Sequence, residues 1–158
     1  MILDGDGRVL LMRASAQGKR WLETPGGGVD RGEAPVDTAR REVGEEAGYT
    51  DVTMGRVIAR RHVRFRIGGV VIDQDETFHA GRLASDRRGA TQWEAVEAIV
   101  FDGEVWMSPA ELADPPARLD PPELPLLVAL AAGDGDAVDL PDTDLVEVIG
   151  ASDWPRAT

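Results

Sequence analysis

Residues 35–47, PVDTARREVGEEA, constrain this chain more than any other segment. Val36, Ala39, Val43 and Ala47 recur at helical spacing. Pro35 stands in the first turn, where a missing N–H costs nothing, and Gly48 stands just past the last. The segment is therefore predicted to be an amphipathic helix that packs by one stripe on the rest of the protein. Glu42, Glu45 and Glu46 are spaced i, i+3 and i+4, so they share a face roughly a quarter-turn from that stripe. They are expected at the rim where the helix meets the body. Like charges at these spacings cost roughly 0.2–0.5 kcal/mol per pair, and only Arg41, four residues before Glu45, offers relief. A solvated helix face would be the ordinary reading of three glutamates. Convergent, uncompensated carboxylates are also what a hard, oxygen-seeking cation such as Mg²⁺ requires.

The flanking segments suggest how such a helix is framed. Thr24-Pro25-Gly26-Gly27-Gly28 is a loop of unusual backbone freedom leading into it. Residues 1–3 and 8–13 read as strands joined by Asp4-Gly5-Asp6-Gly7, and 21–23 as a short strand. Val52–Ile67 and Val70–Leu83 read as paired strands around Gly68-Gly69. A two-residue turn there sets Arg64 opposite Asp73, His62 opposite Asp75 and Arg61 opposite Glu76. The run Arg60, His62, Arg64, Arg66 is therefore read as charge neutralised across a hairpin, with Arg64 and Arg66 only minor phosphate-binding candidates. Further on, the pattern predicts a short helix over 91–98 and a strand over 99–106. A helix start capped by Ser108 follows, then a proline-rich connection over 114–122 and a helix over 123–132. After Gly133, Asp, Gly and Pro dominate. Residues 1–133 are thus expected to form one domain, and 134–158 a tail on the surface or partly disordered. The chain begins almost inside its first strand, so either its start is truncated or that strand is short, and the sequence leaves open the sheet edge and any homodimer built on it.

Composition narrows the class of partner. With 158 residues, 42% hydrophobic and 29% charged, the chain can bury one core. The longest apolar run, 126–132, is far too short for a bilayer, and no basic-then-apolar leader opens the sequence, so a cytoplasmic, non-membrane protein is expected. There is no cysteine, which excludes thiol chemistry. A net charge of −12 repels phosphate backbones and argues against a polynucleotide partner. A small nucleotide can still be held if divalent cations stand between its phosphates and the carboxylates.

Residues 27–49, GGVDRGEAPVDTARREVGEEAGY, resemble the Nudix box, G-x5-E-x7-R-E-U-x-E-E-x-G-U with U a bulky apolar residue. Gly27, Glu33, Arg41, Glu42, Val43, Glu45, Glu46 and Gly48 fall in register without a gap. Tyr49 fills the last slot, which is usually aliphatic. At average residue frequencies the seven fixed glycines and charges coincide by chance about once in 10⁸ registers, which makes this a specific signal. The resemblance is sharpest over those residues and looser from Arg8 to about Leu112.

The resemblance implies an α/β/α sandwich with a mixed β-sheet and a divalent-metal-dependent hydrolase of a phosphoanhydride bond. The substrate would be a nucleoside diphosphate linked to another group, such as an NTP, a dNTP or a nucleotide sugar. It implies Glu42 and Glu46 as principal ligands of Mg²⁺ or Mn²⁺, with the Gly27 carbonyl a further ligand. Glu45 would be another ligand or the base that takes the water's proton. Glu33 and Arg41 would brace the loop against the helix, and Arg13 would contact a phosphate. Relatives also place a base on a distant loop. Glu94 and Glu97 lie where that loop falls here, although a solvated short helix is the preferred reading of both. Trp21, Phe78 and Trp106 could stack on a base but read first as core. Family markers of substrate do not resolve the leaving group. The proline common in ADP-ribose enzymes is replaced by Phe65, the only tyrosine is Tyr49, and no coenzyme A marker is visible. A Nudix-fold sensor that binds a nucleotide without cleaving it is the alternative, and the intact box and the absence of an added DNA-binding domain weigh against it.

Overall fold

A computed structural model describes residues 1–149, with side chains described through Thr143. The last part of the expected tail, 150–158, lies outside the described residues. Strands β1 (Ile2–Leu3), β2 (Val9–Ala16) and β3 (Lys19–Glu23) precede helix α1 (Pro35–Ala47). The long pair β4 (Val52–Ile67) and β5 (Val70–Leu83) follows. Then come α2 (Glu97–Val100), β6 (Phe101–Met107), β7 (Arg118–Asp120), α3 (Leu124–Ala132), β8 (Val138–Asp139) and β9 (Thr143–Ile149).

The strands form one mixed sheet in the order β7-β3-β2-β1-β5-β4-β8, with β6 joined to β2 and β9 to β4. Alternation along β2 shows how it becomes the middle layer. Val9 and Leu11 enter the cluster that holds Leu124, Leu127 and Val128 of α3, whereas Leu10 and Met12 enter the one that holds Val43 and Ala47 of α1. One helix therefore covers each face, the mixed α/β/α layering expected. Leu124 and Leu127 are completely buried, each worth roughly 1.5–3 kcal/mol of apolar transfer. Among the described residues no helix is long and apolar enough to cross a membrane.

The hairpin register is the one read from the sequence. Ile67 faces Val70, Arg64 faces Asp73, His62 faces Asp75 and Arg61 faces Glu76. The charges meet accordingly, with Arg61 2.7 Å from Glu76, Arg64 3.1 Å from Asp73 and His62 2.9 Å from Asp75. Arg66 faces Val71.

Five elements differ from expectation. The helix placed at 91–98 is a single turn, Glu97–Val100, because the Gln92 amide and the Trp93 indole are spent on carbonyls of α1. The helix start after Ser108 is one 3-10 turn, Glu111–Ala113, although Ser108 and Glu111 do exchange the reciprocal bonds of a capping box. Downstream, 118–120 within the proline-rich connection forms β7 on β3, and 138–139 and 143–149 form two strands parallel to β4.

Candidate active site

Helix α1 is held at its start by an ion pair rather than by a capping side chain, since the N-cap is Ala34. Glu33 accepts from Thr38 Oγ1 at 2.7 Å and from Arg41 Nη2 at 3.0 Å and Nε at 3.2 Å. Arg41, with Thr38 assisting, holds the Glu33 carboxyl down to about 2. The same guanidinium donates to the Gly28 carbonyl at 3.0 Å, so Arg41 ties the glycine loop onto the helix. It also donates to Glu42 and to Glu45, each at 2.8 Å.

Burial on α1 departs from the simple stripe. Val36 and Ala39 are only partly covered, whereas Glu42 is 5% and Glu46 1% exposed. The glycine loop folds over this face and closes it. The Gly26 amide donates to Glu46 Oε2 at 3.1 Å. At Gly27 the backbone lies so close to Glu42 that a Cβ there would stand 2.7 Å from its carboxyl carbon. Only a residue without a side chain allows this approach.

Glu42, Glu46 and Glu97 bring carboxylate oxygens within 4.8 Å of one another. Glu97 opens α2 and accepts from the Glu94 amide at 2.7 Å, while the Glu94 side chain is exposed. The reading of both as a solvated face is corrected for Glu97, because the turn delivers it to α1. Burial, reinforced by the Glu97 charge, pushes Glu46 up to about 9, and burial likewise raises Glu42 and Glu97. These are carboxylates taken out of water, and among the described residues only Glu42 of the three forms an ion pair, with Arg41. Such a donor set fits a divalent cation: three hard oxygens, two of them buried, at one end of a backbone cradle. Glu45 stands apart from the triad on Arg41.

The remaining candidates fall elsewhere. Arg13 follows Val9 and Leu11 on their face of β2, opposite to Leu10 and Met12, and is held by Asp102, through its carbonyl at 2.9 Å and its carboxylate at 3.0 Å. Trp21 and Phe78 are buried, and Trp106 donates its indole N–H to Tyr49. One neighbour was missed in the sequence. Glu23 ends β3, and burial pushes it up to about 7 even though Trp21 Nε1 donates to it at 2.6 Å. Its charge also acts on Glu46. The only sequence signal was its place beside the proline–glycine loop.

The fold and motif have known counterparts. A family model described as the NUDIX domain matches residues 1–130. No curated protein sequence matches the chain. Among solved structures, the E. coli ORF135 protein is 28% identical, with 83% of this chain and 85% of that one covered and a TM-score of 0.49. An ADP-ribose pyrophosphatase from Streptococcus suis is 22% identical, with 90% and 96% covered and a TM-score of 0.52. A UDP-X diphosphatase is 16% identical, with 88% of this chain and 63% of that one covered and a TM-score of 0.55. The last two likenesses speak for the fold alone. The match over residues 1–130, together with a gapless box folded as loop and helix, places the chain in the Nudix domain family.

Proposed function

We propose that this Nudix pyrophosphohydrolase is Mg²⁺- or Mn²⁺-dependent and splits a phosphoanhydride bond in a small nucleotide. The substrate class is a nucleoside diphosphate carrying a further phosphate, sugar or similar group, met in the cytoplasm. The observation that carries the reading is the meeting of Glu42, Glu46 and Glu97 within 4.8 Å beside the glycine loop. These three would hold the cation, with the Gly27 carbonyl as a further ligand. When bound there, the cation neutralises diphosphate oxygens and acidifies the attacking water.

The chain's own groups do the rest. Arg41 keeps the loop closed on the helix through Gly28 and Glu33, so the carboxylates face a fixed backbone. Glu45, which stands outside the triad on Arg41, is the carboxylate left to accept the proton of the attacking water. No side-chain nucleophile is required, in keeping with a chain free of cysteine.

The test is a screen of nucleoside triphosphates, nucleotide sugars and dinucleoside diphosphates with Mg²⁺, read as released monophosphate or phosphate. Turnover that stops with excess EDTA supports the proposal. Tight nucleotide binding without turnover of any of them would favour a sensor instead.

A further inference from the structure

The segment between β5 and α2 has almost no regular structure, yet it is bonded to the end of α1 along its length. A helix leaves its last carbonyls without partners of its own. Here the Glu45 carbonyl accepts from the Gln92 amide at 2.6 Å, and the Glu46 carbonyl from Trp93 Nε1 at 2.8 Å. Just past the helix, the Gly48 carbonyl accepts from the Gly89 amide at 2.7 Å. Gly48 sits at φ +74°, and a Cβ on it would meet the Gly89 carbonyl oxygen at 2.8 Å, so the close approach depends on glycine.

Tyr49 strengthens this seam. Its hydroxyl accepts from Arg88 Nη1 at 3.0 Å and from Trp106 Nε1 at 2.8 Å. The Arg88 guanidinium lies 4.3 Å from the centre of the Tyr49 ring, and its Nη2 pairs with Glu104 at 2.7 Å. An aliphatic residue, usual at this box position, could supply neither the hydroxyl nor the aromatic face. Trp93 is partly buried in the cluster of Leu10, Met12 and Val43, with its ring edge-on to Phe101. Four residues after Trp93 comes Glu97. Glu46 is thus gripped at its carbonyl by the segment that brings Glu97 to its carboxylate.

We propose that Trp93 is a positioning residue for Glu97, backed by Tyr49 and Arg88. By fixing the segment against the α1 terminus it sets how close Glu97 comes to Glu42 and Glu46. This rests on the assignment of that triad as the cation site.

The experiment is a double-mutant cycle read by Mn²⁺ affinity, from the free-ion EPR signal, together with kcat, KM and Tm. Trp93→Phe keeps an aromatic side chain in the cluster and deletes the N–H together with part of the indole, whereas Tyr49→Phe deletes a hydroxyl alone. Trp93→Phe should weaken Mn²⁺ binding and lower kcat by about tenfold each, as loss of a supporting hydrogen bond at a metal site does, with little change in KM. In a Glu97→Gln background the same substitution should move either quantity by less than about twofold, because there is nothing left to position. Tyr49→Phe, measured in the same two backgrounds, gives a second reading if Trp93→Phe folds poorly. Additive losses in the two backgrounds overturn the proposal, as does no loss in the wild-type background. Unchanged Mn²⁺ binding in Glu97→Gln overturns it too. The Mn²⁺ arm is read without substrate, so failure to find a hydrolysed nucleotide is distinguishable from failure of the positioning role.

Discussion

Glu46→Gln separates the chemistry of the site from its architecture. Glutamine has nearly the same shape, its amide oxygen can still accept from the Gly26 N–H now 3.1 Å from Oε2, and it cannot carry the charge that a cation needs. Replacing groups that merely support metal ligands costs about 10–100-fold, so loss of a ligand should cost kcat/KM at least about 10²-fold. Stability should move the other way. Glu46 has an ordinary carboxyl affinity when unfolded and is pushed up to about 9 when folded. Between roughly pH 4.5 and 9 the metal-free native protein therefore holds a proton that the unfolded chain has released. Its stability is fully present below that window and declines as pH rises through it, by no more than about 1.4 kcal/mol per pH unit for one group. Glutamine needs no proton, so the variant should escape this slope and overtake the wild type as pH rises. Saturating Mg²⁺ should reverse the order, since only the wild type gains from binding it. The assays are kcat/KM with Mg²⁺ and Tm across pH 5 to 9, with and without Mg²⁺. Glu111→Gln, on an exposed turn, is the control and should leave kcat/KM nearly unchanged. Near-wild-type turnover in Glu46→Gln, or parallel pH curves for it and the wild type, would refute the reasoning.

Other outcomes follow from the same geometry. Activity should rise with pH toward about 9, because Glu42, Glu46 and Glu97 all have raised proton affinity and must ionise to hold a cation; a pH–rate profile falling above neutrality contradicts this. Glu33→Gln should reduce kcat by roughly 10–100-fold while Tm falls only modestly, because Arg41 loses the partner that fixes the glycine loop; steady-state kinetics and melting curves check it. Gly27→Ala should drive a methyl into the Glu42 carboxylate and weaken Mn²⁺ binding, and an unchanged titration would show that the loop can move aside.

What could be read from sequence was what local rules determine. The ends of α1 follow from Pro35 and Gly48, and the register of β4 with β5 from a two-residue turn with opposite charges aligned across it. Both need only neighbours in the chain. The rest depended on distant partners. Glu97 joins the triad because Gln92 and Trp93 are captured by carbonyls of α1 some 47 residues earlier, and no periodicity announces that. The burial of Glu42 and Glu46, deeper than that of Val36, is set by a loop folded over the helix, which a helical wheel does not contain. β7 and β8 are too short to declare themselves, β9 lies in a stretch whose Asp, Gly and Pro content suggested a tail, and all three pair because β3 and β4 offer them an edge.

That last pairing changes the meaning of the C-terminal region. β4 bonds to β5 along one side, and on the other to β8 at Ala59 and Arg60 and to β9 between Val63 and Ile67. A strand with one free side is a template on which any passing extended chain can crystallise, and proteins blunt such sides or hide them. Residues 138–149 act here as a built-in sheath. Cutting the chain after Gly133, where the composition changes, would strip that sheath and leave the amides and carbonyls of 59–67 open to foreign strands. The expected cost of so short a protein is precipitation before any loss of catalysis.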